Sequence, residues 1–318
     1  MTLRALGVLA LTLSGCALPW SSTDSREDTP PASVREMLES TPVDPPAATF
    51  PELMRQADQS RDAGDLPRAA WKYLRALRME PASALPGERI GMLMLSEGSY
   101  ERAQGMLAEV VANHPDSMMG HCGLGLALMQ RGELDRAESH LRRAQALAPE
   151  SILVLLSLGV LNDRRSAHDV AAQYYQRGLA LAPNSPDLHN NLGLSLLLRQ
   201  ENAAAIEHLR LAAELDPDDR VGRNNLGIAL GRAGRYEEAL AAFRRASSEA
   251  WAQNNVGYLY FLNGDYESAL RHFELALMET EEGKLPIIQN IRRAELALSS
   301  AGSEPSSGET EVAPSATE

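Results

Sequence analysis

Three short phrases fix what this chain can fold into: Asn190-Asn191-Leu192-Gly193, Asn224-Asn225-Leu226-Gly227 and Asn254-Asn255-Val256-Gly257. Each glycine is followed twelve residues later by an alanine (Ala205, Ala239, Ala269) and four residues after that by Leu209, Phe243 or Phe273. Steps of thirty-four residues back from Gly193 meet Gly159, Gly125, Gly91 and then Ala57. The alanine column runs back in parallel through Ala171, Ala137, Ala103 and Ala69. A fixed period held over so many steps marks one supersecondary unit said again and again.

A third column reads Pro81, Pro115, Pro149, Pro183 and Pro217. Proline lacks the N–H that a helix interior needs, so each one marks a helix end. Gly64, Gly98, Gly132, Gly234 and Gly264 fall seven residues after the first small residue of their units, where a turn between helices needs positive φ. The unit is therefore helix, turn, helix, and this pattern of small residues and proline resembles the tetratricopeptide repeat family. The fold expected is all-α: a right-handed superhelical solenoid of about seven such repeats over residues 50–283, plus a C-terminal capping helix over 284–298. One helix pair cannot bury its apolar face alone, so stacking is obligatory.

The repeats are uneven. The first carries Ala57 for glycine and Ser60 at a position expected to be large and apolar. The fourth has Asn162 and Ser166 off pattern with Arg164 and Arg165 in its turn, which predicts a distorted or more mobile joint. Between Gly227 and Gly257 the step shortens to thirty.

Residues 1–15 read as an export signal, with Arg4 ahead of an apolar run from Ala5 to Leu13 that is too short to span a bilayer. Leu13-Ser14-Gly15-Cys16 resembles a bacterial lipobox, which implies lipidation of Cys16. Two or three acyl chains hold a protein on a membrane durably where one does not. Ala17, in place of the aspartate that retains enteric lipoproteins at the inner membrane, implies the periplasmic face of the outer membrane. Residues 16–49, rich in Pro, Ser and Thr, read as a disordered tether with a short helix near Val34 to Glu39, and residues 299–318 as a disordered acidic tail.

The formal net charge is −13 and the only lysines are Lys72 and Lys284, which argues against a nucleic-acid partner. With Cys16 assigned to lipid, Cys122 has no intramolecular partner and is expected to be a buried, inert thiol. The seven histidines include no pair at metal-ligand spacing with a third ligand, and there is no nucleophile elbow, phosphate loop or zinc motif. The chain reads as a non-enzyme without cofactor or metal.

What remains is binding. In a tetratricopeptide array the first helix of each repeat lines the concave face, which implies a peptide-binding groove in repeats five to seven. Its residues are Asn190, Asn191, Asn224, Asn225, Arg232, Trp251, Asn254, Asn255, Tyr258 and Phe261, with Leu194, Leu197 and Ile228 between them. An asparagine offers donor and acceptor together, so a ladder of amides suits the backbone of an extended peptide while aromatics receive its side chains; the same amides suit helix packing.

The lipobox, the stacked repeats and the phrase from Ala250 to Tyr258 resemble the lipoprotein of the tight-adherence (Flp) pilus assembly system. That likeness implies a pilotin-like assembly factor at the outer membrane whose partner is a secretin or pilus subunit. The other reading is a lipoprotein regulator of a peptidoglycan or polysaccharide synthase.

Overall fold

The computed structural model describes residues 48–280 and 284–301. The expected signal segment, Cys16, the tether with its short helix, and residues 302–318 of the tail lie outside the described residues.

Among the described residues there are fifteen helices and no strand. They are α1 (Phe50–Asp62), α2 (Leu66–Met79), α3 (Ala84–Ser96), α4 (Tyr100–Asn113), α5 (Met118–Gln130), α6 (Leu134–Leu147), α7 (Ile152–Arg164), α8 (His168–Leu181), α9 (Pro186–Leu198), α10 (Asn202–Leu215), α11 (Arg220–Arg232), α12 (Tyr236–Ala246), α13 (Glu249–Leu262), α14 (Tyr266–Met278) and α15 (Lys284–Ala301). They form two compact units, divided within α11 between Asn225 and Leu226. In the first, α1 to α10 make five helix pairs, each packed on the next; in the second, α12, α13, α14 and α15 pack in succession.

The glycine column works by contact. A Cβ on Gly91 would stand 2.5 Å from Leu107, on Gly125 2.7 Å from Leu141, on Gly159 2.2 Å from Tyr175 and on Gly193 2.6 Å from Leu209. In the second unit Gly227 and Gly257 meet Phe243 and Phe273 at 2.5 and 2.7 Å. Each glycine is thus the seat of the large residue sixteen positions on, carried by the other helix of its own repeat. Those large residues are fully buried.

Turn chemistry follows the sequence in five repeats, with Gly64, Gly98, Gly132, Gly234 and Gly264 at φ between 74° and 80°. In the other two, Ser166 (φ 60°) and Gln200 (φ 64°) hold the same left-handed conformation, which costs a residue with a Cβ about 1–2 kcal/mol. The fourth repeat is not distorted. The Ala167 N–H donates to the Asn162 carbonyl just as Glu133 does to Leu128 and Glu201 to Leu196. Arg164 and Arg165 are occupied with the preceding repeat: Arg164 donates to the Met129 carbonyl at 2.7 Å, and Arg165 pairs with Asp135 and Glu138. Ser60 is buried yet satisfied, donating to the Gln56 carbonyl and accepting from Lys72.

In repeats one and four the seat is filled by a tyrosine, which must bury a hydroxyl with a partner. Tyr73 donates to Asp58 at 2.6 Å and Tyr175 to Asp163 at 2.8 Å, each acid standing on the first helix of the same repeat. Asp163 also accepts from Ser195 of α9 at 2.9 Å and bonds the His168 ring at 2.8 Å. This buried knot ties repeat four to repeat five.

The last helix, α15, buries Ile287, Asn290 and Ala294. Aligned on the repeats through Asn290, its glycine-column position holds Arg292, which is exposed.

Candidate interaction surface

The candidate asparagines fall on both sides of the division after Asn225. In the first unit Asn190, Asn191, Asn224 and Asn225 are all buried, the most accessible of them at 7 %. The Asn225 amide donates to Asn190 Oδ1 at 2.9 Å, joining the sixth position of one repeat to the fifth position of the repeat before it. In the second unit Asn254 and Asn255 are buried too, and Asn290 of α15 donates to Asn254 Oδ1 at 2.9 Å. Cys122 and Ser157 occupy the same two positions in repeats three and four, with Sγ and Oγ 3.7 Å apart. Asn191 instead donates to the Asp187 carbonyl of its own turn at 2.8 Å, because Leu156 stands opposite. The Asn190–Asn225 and Asn254–Asn290 pairs therefore serve as rungs, tying α9 to α11 and α13 to α15. Each buried rung contributes about 1 kcal/mol while made and costs more when half-broken.

This pairing was readable as an offset of thirty-five residues between polar positions five and six. Reading each column against itself hides it.

The apolar members lie deep as well: Leu194 and Ile228 are each 1 % exposed and Leu197 is fully enclosed. What reaches solvent belongs to the second unit, where Arg232 is exposed and Trp251 and Phe261 are half-buried. Trp251, Tyr258 and Phe261 fall on one face of α13 by helical spacing. Tyr258 is 8 % exposed, and its ring stacks on Phe261 at 6.1 Å, which in turn meets Tyr266 at 5.5 Å. A second stack in the same unit sets Tyr260 between Tyr236 at 3.9 Å and His272 at 5.2 Å. This concentration of rings has no counterpart among the first-unit candidates, which are amides.

Cys122 is fully buried, and burial pushes its thiol up to about 12, so it is inert at neutral pH. Among the described residues no three His, Cys, Asp or Glu side chains converge as a metal site, and no helix is long and apolar enough to cross a membrane.

Four histidines, His121, His140, His208 and His272, are held below their ordinary range, each chiefly by burial. For His121 the nearby Arg143 adds to it, for His140 the ring of His121 and then Arg136, and for His272 Arg271. A depressed folded value means that the unfolded chain takes up protons first. The stability these rings contribute is complete above about pH 6.5 and drains as pH falls through the folded values. Asp163, raised by burial, runs the other way and favours the fold toward the acid side of its titration. Thermal denaturation at pH 7.5 and 5.5 is expected to give the lower Tm at 5.5, where histidine and not carboxylate titration dominates. A Tm that rises over that interval would contradict this assignment.

The repeat period, the seated glycines and the helix pairs agree with a family model described as "Tetratricopeptide repeat", which matches residues 89–152, 156–220 and 224–283, more than half of the chain. The chain belongs to the tetratricopeptide repeat family. As such it is an all-helical protein-interaction scaffold, a fold that in general binds proteins or peptides and is not itself catalytic. No curated protein matches the chain.

Several solved structures share the fold. A tetratricopeptide repeat protein from Parabacteroides merdae has a TM-score of 0.53 at 17 % identity, over 77 % of this chain and 98 % of that one. The Pseudomonas aeruginosa pilF structure gives 0.53 at 20 % identity, over 68 % and 98 %. The APC/C hetero-tetramer Cut9-Hcn1 gives 0.63 at 19 % identity, over 82 % of this chain, which spans about half of that one (51 %).

Proposed function

We propose that this tetratricopeptide protein is a lipid-anchored periplasmic scaffold of the outer membrane, assisting assembly of a tight-adherence pilus or a related secretion machine. Its partner in this reading is an extended segment of the secretin or of another subunit. The lipobox-like Leu13-Ser14-Gly15-Cys16 supports the anchoring. The observation that carries the binding is the surface of the second unit, where Trp251 and Phe261 stay half-open and Arg232 is exposed while every candidate amide is enclosed. Aromatic and arginine side chains dominate the energy of protein interfaces. The Asn190–Asn225 and Asn254–Asn290 bonds hold helices in register, each within its own unit, while Asn191, Asn224 and Asn255 are buried as well and Tyr258 backs Phe261.

The test is genetic and biochemical. Cells lacking the chain should lose secretin multimers from the outer membrane, the wild-type chain should restore them, and Cys16→Ser should not. Unchanged secretin with altered cell shape or capsule would reject this reading in favour of a synthase regulator.

A further inference from the structure

The histidines form a repeated device that the scaffold reading does not use. In repeat five, His189 on α9 and His208 on α10 bring their Nδ1 atoms to 2.9 Å, and His189 Nε2 bonds the Pro183 carbonyl at 2.8 Å. In repeat three, His121 and His140 occupy the same positions, with Nδ1 atoms 3.0 Å apart and His121 Nε2 3.2 Å from the Pro115 carbonyl. The carbonyl can only accept, so the Nε2 of His121 and of His189 carries a hydrogen and the Nδ1 keeps its lone pair. One imidazole lone pair in each repeat is thus fixed in place and aimed at a second ring.

We propose that the His189–His208 pair is a bidentate site for a divalent transition-metal ion that prefers right-angle nitrogen geometry, such as Ni²⁺ or Cu²⁺. Two nitrogens each about 2.0–2.1 Å from one ion and at a right angle are about 2.9 Å apart. The observed 2.9 Å therefore has the bite of such an ion and falls short of a tetrahedral one. The proton now shared between the Nδ1 atoms moves to His208 Nε2, so His208 changes tautomer and no net charge is lost. Both rings hinge off the line that joins them, the half-buried His208 more than His189, which its proline carbonyl orients as a metal-bound histidine is oriented. Water fills the other coordination positions, since no third protein ligand converges there among the described residues.

Charge separates the two pairs. Arg143 reaches the Pro115 carbonyl at 3.4 Å and Arg136 lies by His140, so two guanidinium groups face the pair in repeat three. Beside His208 stands Glu207, whose charge favours a cation and which pairs with Arg210 at 3.4 Å, and burial holds the His208 ring below its ordinary range. Repeat three is therefore the internal control. In repeat seven the same two positions hold Gln253 and His272, with Oε1 and Nδ1 2.7 Å apart, so the aliphatic amide has replaced one nitrogen.

The experiment is calorimetric titration of Ni²⁺ at pH 7.5 into the full chain carrying Cys16→Ser, which removes the thiol outside the described residues. It is paired with proton NMR of the hyperfine-shifted imidazole N–H signals. One ion should bind and shift two exchangeable imidazole resonances; His208→Gln should weaken binding about ten-fold or more, and His140→Gln should leave it unchanged. Circular dichroism checks that each variant is folded. Equal binding by His208→Gln and the parent, or the absence of two shifted imidazole signals in the parent itself, would overturn the proposal. The pair would then be a shared-proton contact and nothing more.

Discussion

Replacing Gly159 by leucine is expected to destabilise the chain by about 3 kcal/mol, at the upper end of what overpacking a core costs. A Cβ at this position would stand 2.2 Å from Cε1 and 2.7 Å from Cζ of Tyr175, well inside any contact two carbons tolerate. The ring cannot swing away freely, because it is fully buried and its hydroxyl is bonded to Asp163. At Gly193 the neighbour is Leu209, whose branched end has more freedom, so Gly193→Ala should cost less and be partly relieved by Leu209→Ala. Gly105 supplies the control: it is exposed in α4 with no atom within 4 Å of a Cβ, so Gly105→Ala should stabilise by about 0.5–1 kcal/mol through helix propensity. Urea midpoints of the four variants measure the series. Equal effects at Gly159 and Gly105 would remove the seat as an explanation of the glycine column.

Asp163→Ala should be the second severe substitution, also at about 3 kcal/mol, because it leaves buried donors without an acceptor. The Tyr175 hydroxyl loses its acceptor, and the His168 ring loses its 2.8 Å bond. Ser195 suffers less, since its hydroxyl also reaches the His168 carbonyl at 3.1 Å. A double-mutant cycle isolates the cause. With Tyr175→Phe in the background the orphaned hydroxyl is gone, and Asp163→Ala should then cost clearly less than in the parent. Identical costs in the two backgrounds would mean that the orphaned Tyr175 hydroxyl is not what makes the loss of Asp163 costly.

The two substitutions also mark what the sequence makes legible. The seat of Gly159 could be read directly, because a glycine and the large residue it receives recur at one fixed spacing along the chain. The knot at Asp163 could not, because its partners stand five, twelve and thirty-two residues away on the two following helices and do so in one repeat only. Ser166 and Gln200 take up a left-handed turn without the glycine that announces it elsewhere, the surrounding packing overriding the local preference. The asparagines were readable as repeated and as inner-face residues. That Asn225 reaches back to Asn190 depends on the angle between successive first helices, which no single column encodes. Aromatic residues at 251, 258 and 261 share a helical face in the sequence already, but only the packing separates half-open Trp251 and Phe261 from Tyr258.

A photoreactive residue placed at Trp251 in the full-length chain, irradiated in its native cells, tests the binding account most directly, with a second probe at Met278, which is 81 % exposed on the same unit. The account predicts covalent capture of a secretin or pilus subunit from Trp251 and not from Met278. Capture of a cell-wall or polysaccharide synthase from Trp251, or no capture there at all, would contradict it.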